Sequence, residues 1–304
     1  MQQKSEIFEG GLESWDGDRK SSTPPAVLIG YYGFRNIIAS SGCIGRSLFF
    51  TTLSIFYAVL LFMTVVRHQA EAIARIDFLA FLADWGKTLR EYDEAFYQKG
   101  SLTYPAFIIL FFMMIFWGSQ LISKDRAANA MQIYFSKALT PVDYLLGKYM
   151  TVGILIGSVT LIPSIFMFVL GVALSPELGH FLATSWYVPI IGGVYWLFLT
   201  LSIGTMVLFF SSLFNRSYMA AVAFAGFFGF SLAVSAALTK IIGARDMVLG
   251  LNWWSTLHDI GVTIFDLEIT PGTPFFWQLI DLSVVCGVFL WFIWQRIKPV
   301  EVVR

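Results

Sequence analysis

Charge is what this chain has least of. Only 13% of its residues are Asp, Glu, Lys or Arg, against about 25% in soluble domains. With 57% hydrophobic residues, it cannot cover itself with a polar surface, so its solvent is lipid. The formal net charge is zero, which excludes the basic footprint of a nucleic-acid binder. Cysteine is nearly absent, and the two present are Cys43 and Cys286. Cys286 lies inside an apolar run, so neither a disulfide framework nor a CxxC metal site is expected. Three histidines without ligand spacing make a poor metal centre, although His258 adjoins Asp259 and His180 follows Glu177 closely. Hydrolase signatures such as Gly-x-Ser-x-Gly and His-Glu-x-x-His do not occur. Gly86–Lys87–Thr88 looks like the end of a phosphate-binding loop, but Phe81 stands where that loop needs glycine. The chain is therefore expected to carry no ATPase or other catalytic site. Glu91, Asp93 and Glu94 read as a solvated helix face. The polar first 25 residues lack an apolar core with a small-residue cleavage site, so no cleaved signal peptide is read.

What is abundant is long apolar runs. A bilayer core of about 30 Å needs roughly 20 apolar residues in helix. Six runs qualify: 47–66, 104–122, 146–174, 186–213, 218–238 and 275–297. The expected fold is an all-α integral membrane protein with six transmembrane helices. Residues 1–46 form an N-terminal tail, 47–297 a six-span domain and 298–304 a C-terminal tail. The third and fourth runs exceed the bilayer and must tilt or project. Pro163 is expected to kink the third. Six spans put both termini on one side, with 13 of the 20 Lys and Arg residues. The positive-inside rule makes that side cytoplasmic.

Before the first run, Val27, Leu28, Tyr31, Phe34 and Ile38 sit at amphipathic spacing, suited to a helix on the inner leaflet. The outer segment 67–103 reads as helical, with Ile76, Leu79, Leu82 and Trp85 on one face. Residues 175–185 read as a short loop. In the last outer loop, Trp253–Trp254 suits the headgroup layer. Along the fifth run Ala221, Ala225, Gly229 and Ala233 recur every four residues beside Gly226. Small residues at that spacing let helices approach closely, within one chain or between two. Asp281, about two turns into the last run, is either a structural carboxylate or a polar site for substrate or protons.

The segment between the second and third runs is the most structured of the loops. Asp125 and Arg126 close the second span. Ala127, Ala128, Ala130, Met131 and Gln132 favour helix, and Met131, Tyr134, Phe135 and Ala138 share a face. A new helix then starts: Thr140 can N-cap, Pro141 suits the first position and Asp143 favours the dipole. Leu139 and Tyr144 are placed as a hydrophobic staple. A short amphipathic helix, a tight corner and a rigid third helix either lie on the headgroups or serve as a lever for a cytoplasmic partner.

The run DRAANAMQIYFSKALTPVDYLLGKYM resembles the cytoplasmic coupling segment of type-two ABC exporter permeases. Asp125, Ser136, Lys137, Asp143, Tyr144, Leu145, Leu146, Gly147 and Lys148 match that family's pattern. Ala138 stands where proline is expected, and Pro141 where a basic residue is common. The six-span layout and the long loop before the last span extend the resemblance over most of the chain. It implies a permease subunit in a bacterial inner membrane, paired with a second copy or a related chain. Two separate ATP-binding subunits would supply ATP and Mg. An accessory extracytoplasmic protein could dock on the first outer loop. Met131, Tyr134 and Phe135 would form the docking knob, with Asp125 and Arg126 at its edge. An ion-gradient transporter would need several buried ionisable residues near the midplane, and only Asp281 offers itself. An intramembrane enzyme would need convergent polar groups within the spans. A membrane scaffold that transports nothing is a further reading.

Overall fold

The computed structural model describes residues 24–40, 42–68, 103–135, 139–174, 178–242, 252–264 and 275–297. The expected outer helix within 67–103, the Gly86–Lys87–Thr88 triplet, the acidic group Glu91, Asp93 and Glu94, and Ser136, Lys137, Ala138 and Glu177 lie outside them. So do the side chains of Cys43, Gln132, Phe135, His180, Trp254 and His258.

All regular structure among the described residues is helical. In chain order the elements are α1 (Pro25–Ser40), α2 (Gly42–His68), α3 (Thr103–Met113), a π-helical turn (Met114–Gly118), α4 (Gln120–Ala127) and α5 (Ala130–Phe135). They are followed by α6 (Pro141–Gly157), α7 (Leu161–Leu174), α8 (Leu178–Ser185), α9 (Val188–Leu213), α10 (Ser217–Ile242), α11 (Trp253–Ile264) and α12 (Phe275–Ile297). Five stretches are long and apolar enough to cross a membrane: Ile108–Ala127, Pro141–Leu174, Val188–Leu213, Ser217–Ile241 and Phe275–Ile297. The chain is a helical integral membrane protein.

α9 is the hub. Its sequence is apolar all round, the pattern of a helix surrounded by protein, and it packs against α4, α6, α7, α10, α11 and α12. Its polar residues Ser202, Thr205, Ser211 and Ser212 are all buried. The hydroxyl of Ser202 returns a hydrogen bond to its own helix, at the Phe198 carbonyl (2.8 Å).

The long third run breaks, but ahead of its proline. α6 ends at Gly157, the turn Ser158–Thr160 intervenes, and Pro163 occupies the third position of α7. A proline there needs no N–H partner. The Ser158 carbonyl at the break accepts from the Tyr57 hydroxyl of α2 at 2.9 Å.

Two other expectations meet a different structure, at residues 178–185 and at Trp253, and α1 and the small residues of α10 take definite places. α1 docks along α6, where Ile29 meets Gly147, Gly30 meets Met150 and Gly33 meets Thr151. These contacts advance together, so the two helices run in the same sense. A Cβ at Gly147 would stand 2.5 Å from the Cβ of Ile29, so the close approach requires glycine. Residues 178–185 form a helix rather than a loop. Trp253 is buried against Phe227 instead of facing headgroups, and its backbone N–H donates to the Ser231 hydroxyl at 3.1 Å. Finally, the buried face of α10 is Ala220, Phe224, Phe228, Ser231 and Ser235. The small-residue stripe lies beside it: Ala221 and Ala225 are half-buried, while Gly226, Gly229 and Ala233 are exposed. A Cβ at Gly226 or Gly229 would touch nothing.

Candidate functional site

The corner between α4 and α6 is built by local chemistry. α4 ends where Asn129 adopts a left-handed conformation (φ 51°), which asparagine tolerates better than most residues. The Asn129 N–H then donates to the Arg126 carbonyl, and the chain turns into α5. α6 begins as its sequence predicts. The Thr140 hydroxyl accepts the Asp143 N–H at 3.1 Å, and the Asp143 carboxylate accepts the Thr140 N–H at 3.3 Å. This reciprocal cap satisfies two donors that a helix start leaves open, and Pro141 fills the first helical position.

Three side chains lock α4 to α6. One carboxylate oxygen of Asp125 receives the Tyr144 hydroxyl at 2.7 Å and the Lys148 ammonium at 2.6 Å. Tyr144 is completely buried and Lys148 is 6% exposed. The ammonium also lies 5.2 Å from the Tyr144 ring centre, within cation–π range. Tyr144 and Lys148 are one helical turn apart on α6, so both reach the same acceptor. Tyr134 of α5 packs its ring 5.9 Å from that of Tyr144. Burial and the neighbouring Asp125 charge push the Tyr134 phenol above its ordinary value. Next to the lock, Arg126 turns inward and donates to the Ser212 carbonyl at the end of α9.

Upstream of the lock, the spanning stretch Ile108–Ala127 is irregular. At the π turn the Ser119 N–H bonds five residues back, to the Met114 carbonyl. Ser211 of α9 fills the gap so opened. Its hydroxyl oxygen accepts the N–H groups of Ile122 and Ser123 at 2.9 and 3.0 Å and donates to the Ser119 carbonyl at 2.8 Å. One α9 side chain thus fixes the direction in which α4 leaves the bundle.

Of the residues singled out for coupling, Asp125, Arg126, Tyr134 and Tyr144 come together at this corner, and Thr140, Pro141 and Asp143 form its cap. Ala130 is half-buried, and Met131 packs its side chain against the core. Tyr134 remains 37% exposed. Asp281 stands apart, exposed on α12. No group of three metal-ligating side chains exists among the described residues. Lys148 and Ser211 were not among the site candidates read from sequence. The signal for Lys148 was present, as a lysine one turn after Tyr144 in an apolar helix. The sequence matches no family model, and no curated protein is significantly similar to it.

Proposed function

We propose that this chain is the six-span permease subunit of an ATP-driven transporter resembling the type-two ABC exporters, with α5 as its coupling helix. In this reading α2, 27 residues long, is the first of six spans. The end bearing α5 and both termini face the cytoplasm of a bacterial inner membrane. Two separate ATP-binding subunits carry ATP and Mg and grip α5, and a second permease copy completes the path. Their closure moves a substrate outward or transmits force to an extracytoplasmic partner.

The observation that supports this most is the Asp125–Tyr144–Lys148 lock. A helix that merely rests on headgroups has no need of a buried ion pair beneath it. A helix that is pushed needs a stiff connection to the spans. Here α5 is tied through Tyr134 to Tyr144, α4 is tied through Asp125 to α6, and Arg126 carries the connection to α9. A push on α5 therefore bears on the second, third and fourth spans at once.

The test is affinity purification of the chain from its native membrane in mild detergent, with mass spectrometry of what accompanies it. The expected result is a near-stoichiometric partner carrying a phosphate-binding loop, lost on Tyr134→Asp/Phe135→Asp. A preparation that retains other membrane complexes but contains no nucleotide-binding partner refutes the proposal and leaves the scaffold or ion-gradient readings.

A further inference from the structure

Two neighbouring helices leave their broadest faces uncovered. Only 22% of the apolar core of Ser217–Ile241 and 17% of that of Phe275–Ile297 is buried, against at least 50% in the other three spanning stretches. On α10 the line Val222, Gly226, Gly229, Ala233, Ala236 and Lys240 is exposed throughout, and a Cβ at either glycine would touch nothing. On α12 the line Trp277, Asp281, Val284, Val288 and Trp291 is exposed throughout as well. Both lines alternate steps of four and three, the 3.5-residue repeat that keeps one face of a helix along a single partner helix. The α10 line is flat and ends on a cation. The α12 line is bulky and carries a carboxylate near its start. Neither Lys240 nor Asp281 has a hydrogen-bond or ion-pair partner among the described residues. α11 bonds to α10 at Ser231 through the Trp253 N–H (3.1 Å), and to α12 through Asp259, which accepts from Gln278 at 3.4 Å. The late half of α10 and the early half of α12 therefore share one end, and the two helices run antiparallel. Lys240 and Asp281 both lie toward that end.

We propose that this double face is where a second copy of the chain packs, the bulky α12 line of each copy in the flat α10 line of the other across a two-fold axis. Heights agree. Phe227 of α10 and Phe289 of α12 meet with ring centres 5.8 Å apart. From that contact, 1.5 Å per residue puts Lys240 about 20 Å and Ala233 about 9 Å along α10. The same rise puts Trp277 about 18 Å, Asp281 about 12 Å and Val284 about 8 Å along α12. A two-fold axis along the membrane normal keeps every residue at its own height, so Lys240 of one copy meets Trp277 and Asp281 of the other. The indole face offers a cation–π contact, and the four-carbon stem of lysine spans the remaining step to the carboxylate. Two such pairs form, as an isologous interface requires. Shape agrees as well. Val288 and Trp291 fall opposite Gly226 and Gly229, where missing side chains let helices approach closely. Lipid fits this face poorly: a carboxylate flanked by Trp277, Ile280 and Val284 is costly against hydrocarbon, and a cation at matching height offsets that cost. The small residues alone would accept any close helix, whereas the charges select a second copy. The inference deepens the transport reading, on which it rests for the role of the second copy.

The experiment uses the full chain alone in phosphatidylcholine vesicles, with no nucleotide-binding subunit and with Cys43→Ser and Cys286→Ser. Two tagged forms are co-expressed, one with Ala233→Cys and one with Val284→Cys. Mild oxidation should give a disulfide-linked dimer carrying both tags, and none when Ile165→Cys, exposed on α7, replaces Val284→Cys. Without added cysteines, the dimer is measured by energy transfer between copies fused to fluorescent proteins. Lys240→Glu should raise its dissociation constant about tenfold, because two exposed pairs are lost, each on the scale of up to about fivefold. Combining Lys240→Glu with Asp281→Lys should restore the dimer. Gly229→Leu, which fills the flat line, should weaken it at least as much as Lys240→Glu. A chain that stays monomeric, with lipid on this face, overturns the proposal. So does cross-linking no stronger than that of Ile165→Cys, or a charge swap that fails to restore the dimer. If Gly229→Leu or Lys240→Glu alters the circular dichroism of the chain, the charge swap decides. An intact dimer whose purification from the native membrane brings no nucleotide-binding partner refutes the coupling reading alone. A monomer that still brings that partner refutes this inference alone.

Discussion

Removing both partners of the Asp125–Lys148 pair should cost well under the sum of removing each alone. Lys148 is 6% exposed, and Asp125 holds it at 2.6 Å with a side chain 17% exposed. Breaking a buried pair by deleting one member typically costs about 3–5 kcal/mol, because a charge is left without its counterion. Partial access of water to Asp125 puts this case at the lower end. Asp125→Asn keeps an acceptor for the Tyr144 hydroxyl but strands the ammonium, for a loss of about 3 kcal/mol. Lys148→Met strands a carboxylate that still receives the Tyr144 hydroxyl, for a loss of about 2 kcal/mol. The double variant carries no charge at the site and should lose only about 3 kcal/mol, so the two changes are non-additive by about 2 kcal/mol. The assay is reversible unfolding in mixed dodecylmaltoside and SDS micelles, followed by tryptophan fluorescence. Single variants that each lose under about 0.5 kcal/mol, or a double variant equal to the sum of the singles, would refute a buried and coupled lock.

Other consequences are open to measurement. Gly147→Ala should destabilise by about 1–3 kcal/mol, because its new Cβ meets that of Ile29. Gly229→Ala, where a Cβ meets nothing, should cost nothing in the same micellar unfolding assay. Ser211→Ala withdraws the acceptor of two N–H groups and should cost about 2 kcal/mol. Faster amide hydrogen exchange at Ile122 and Ser123 is expected with it. The Tyr134 phenol is raised in the folded protein by burial and by Asp125, so its contribution to stability is intact below the unfolded value near 10. That contribution is lost as pH climbs through the higher folded value. Wild type and Tyr134→Phe should therefore show parallel stability up to about pH 10, above which the wild type declines more steeply than the variant. Parallel curves at all pH values would contradict this.

The apolar runs and caps were legible in sequence because they are local. The five stretches long and apolar enough to span a membrane, the Thr140–Asp143 cap and the start of α6 at Pro141 depend only on neighbours within a few positions. The contacts that stiffen the corner are not local. Asp125 finds Tyr144 and Lys148 across a turn, and Ser211 reaches Ser119 over 92 positions. No periodicity within one segment announces such pairs. The docking of α1 depends on three glycines in two segments, each unremarkable where it stands. Trp253 was misread because an adjacent tryptophan pair in a loop has the composition of a membrane-interface anchor, while its burial depends on Phe227 and Ser231 of another helix. The stripe on α10 showed which residues are small but not which way they face.

The π turn at Met114–Gly118 also has a consequence for the phase of the stretch Ile108–Ala127. A regular α-helix turns about 100° per residue, so positions four apart drift around its surface. Between Ile108 and Lys124 that drift would reach nearly half a turn, yet both remain on the exposed side. The turn with its five-residue hydrogen bond takes up much of the difference. Deleting a single residue from 114–118 would restore an unbroken α-helix with little change of phase beyond it, whereas deleting one from 120–123, where no wide turn absorbs the change, would rotate everything beyond it by about 100°. Asp125 would then swing away from Lys148, and Lys124 would leave the line begun by Ile108, although no residue of either pair had been changed.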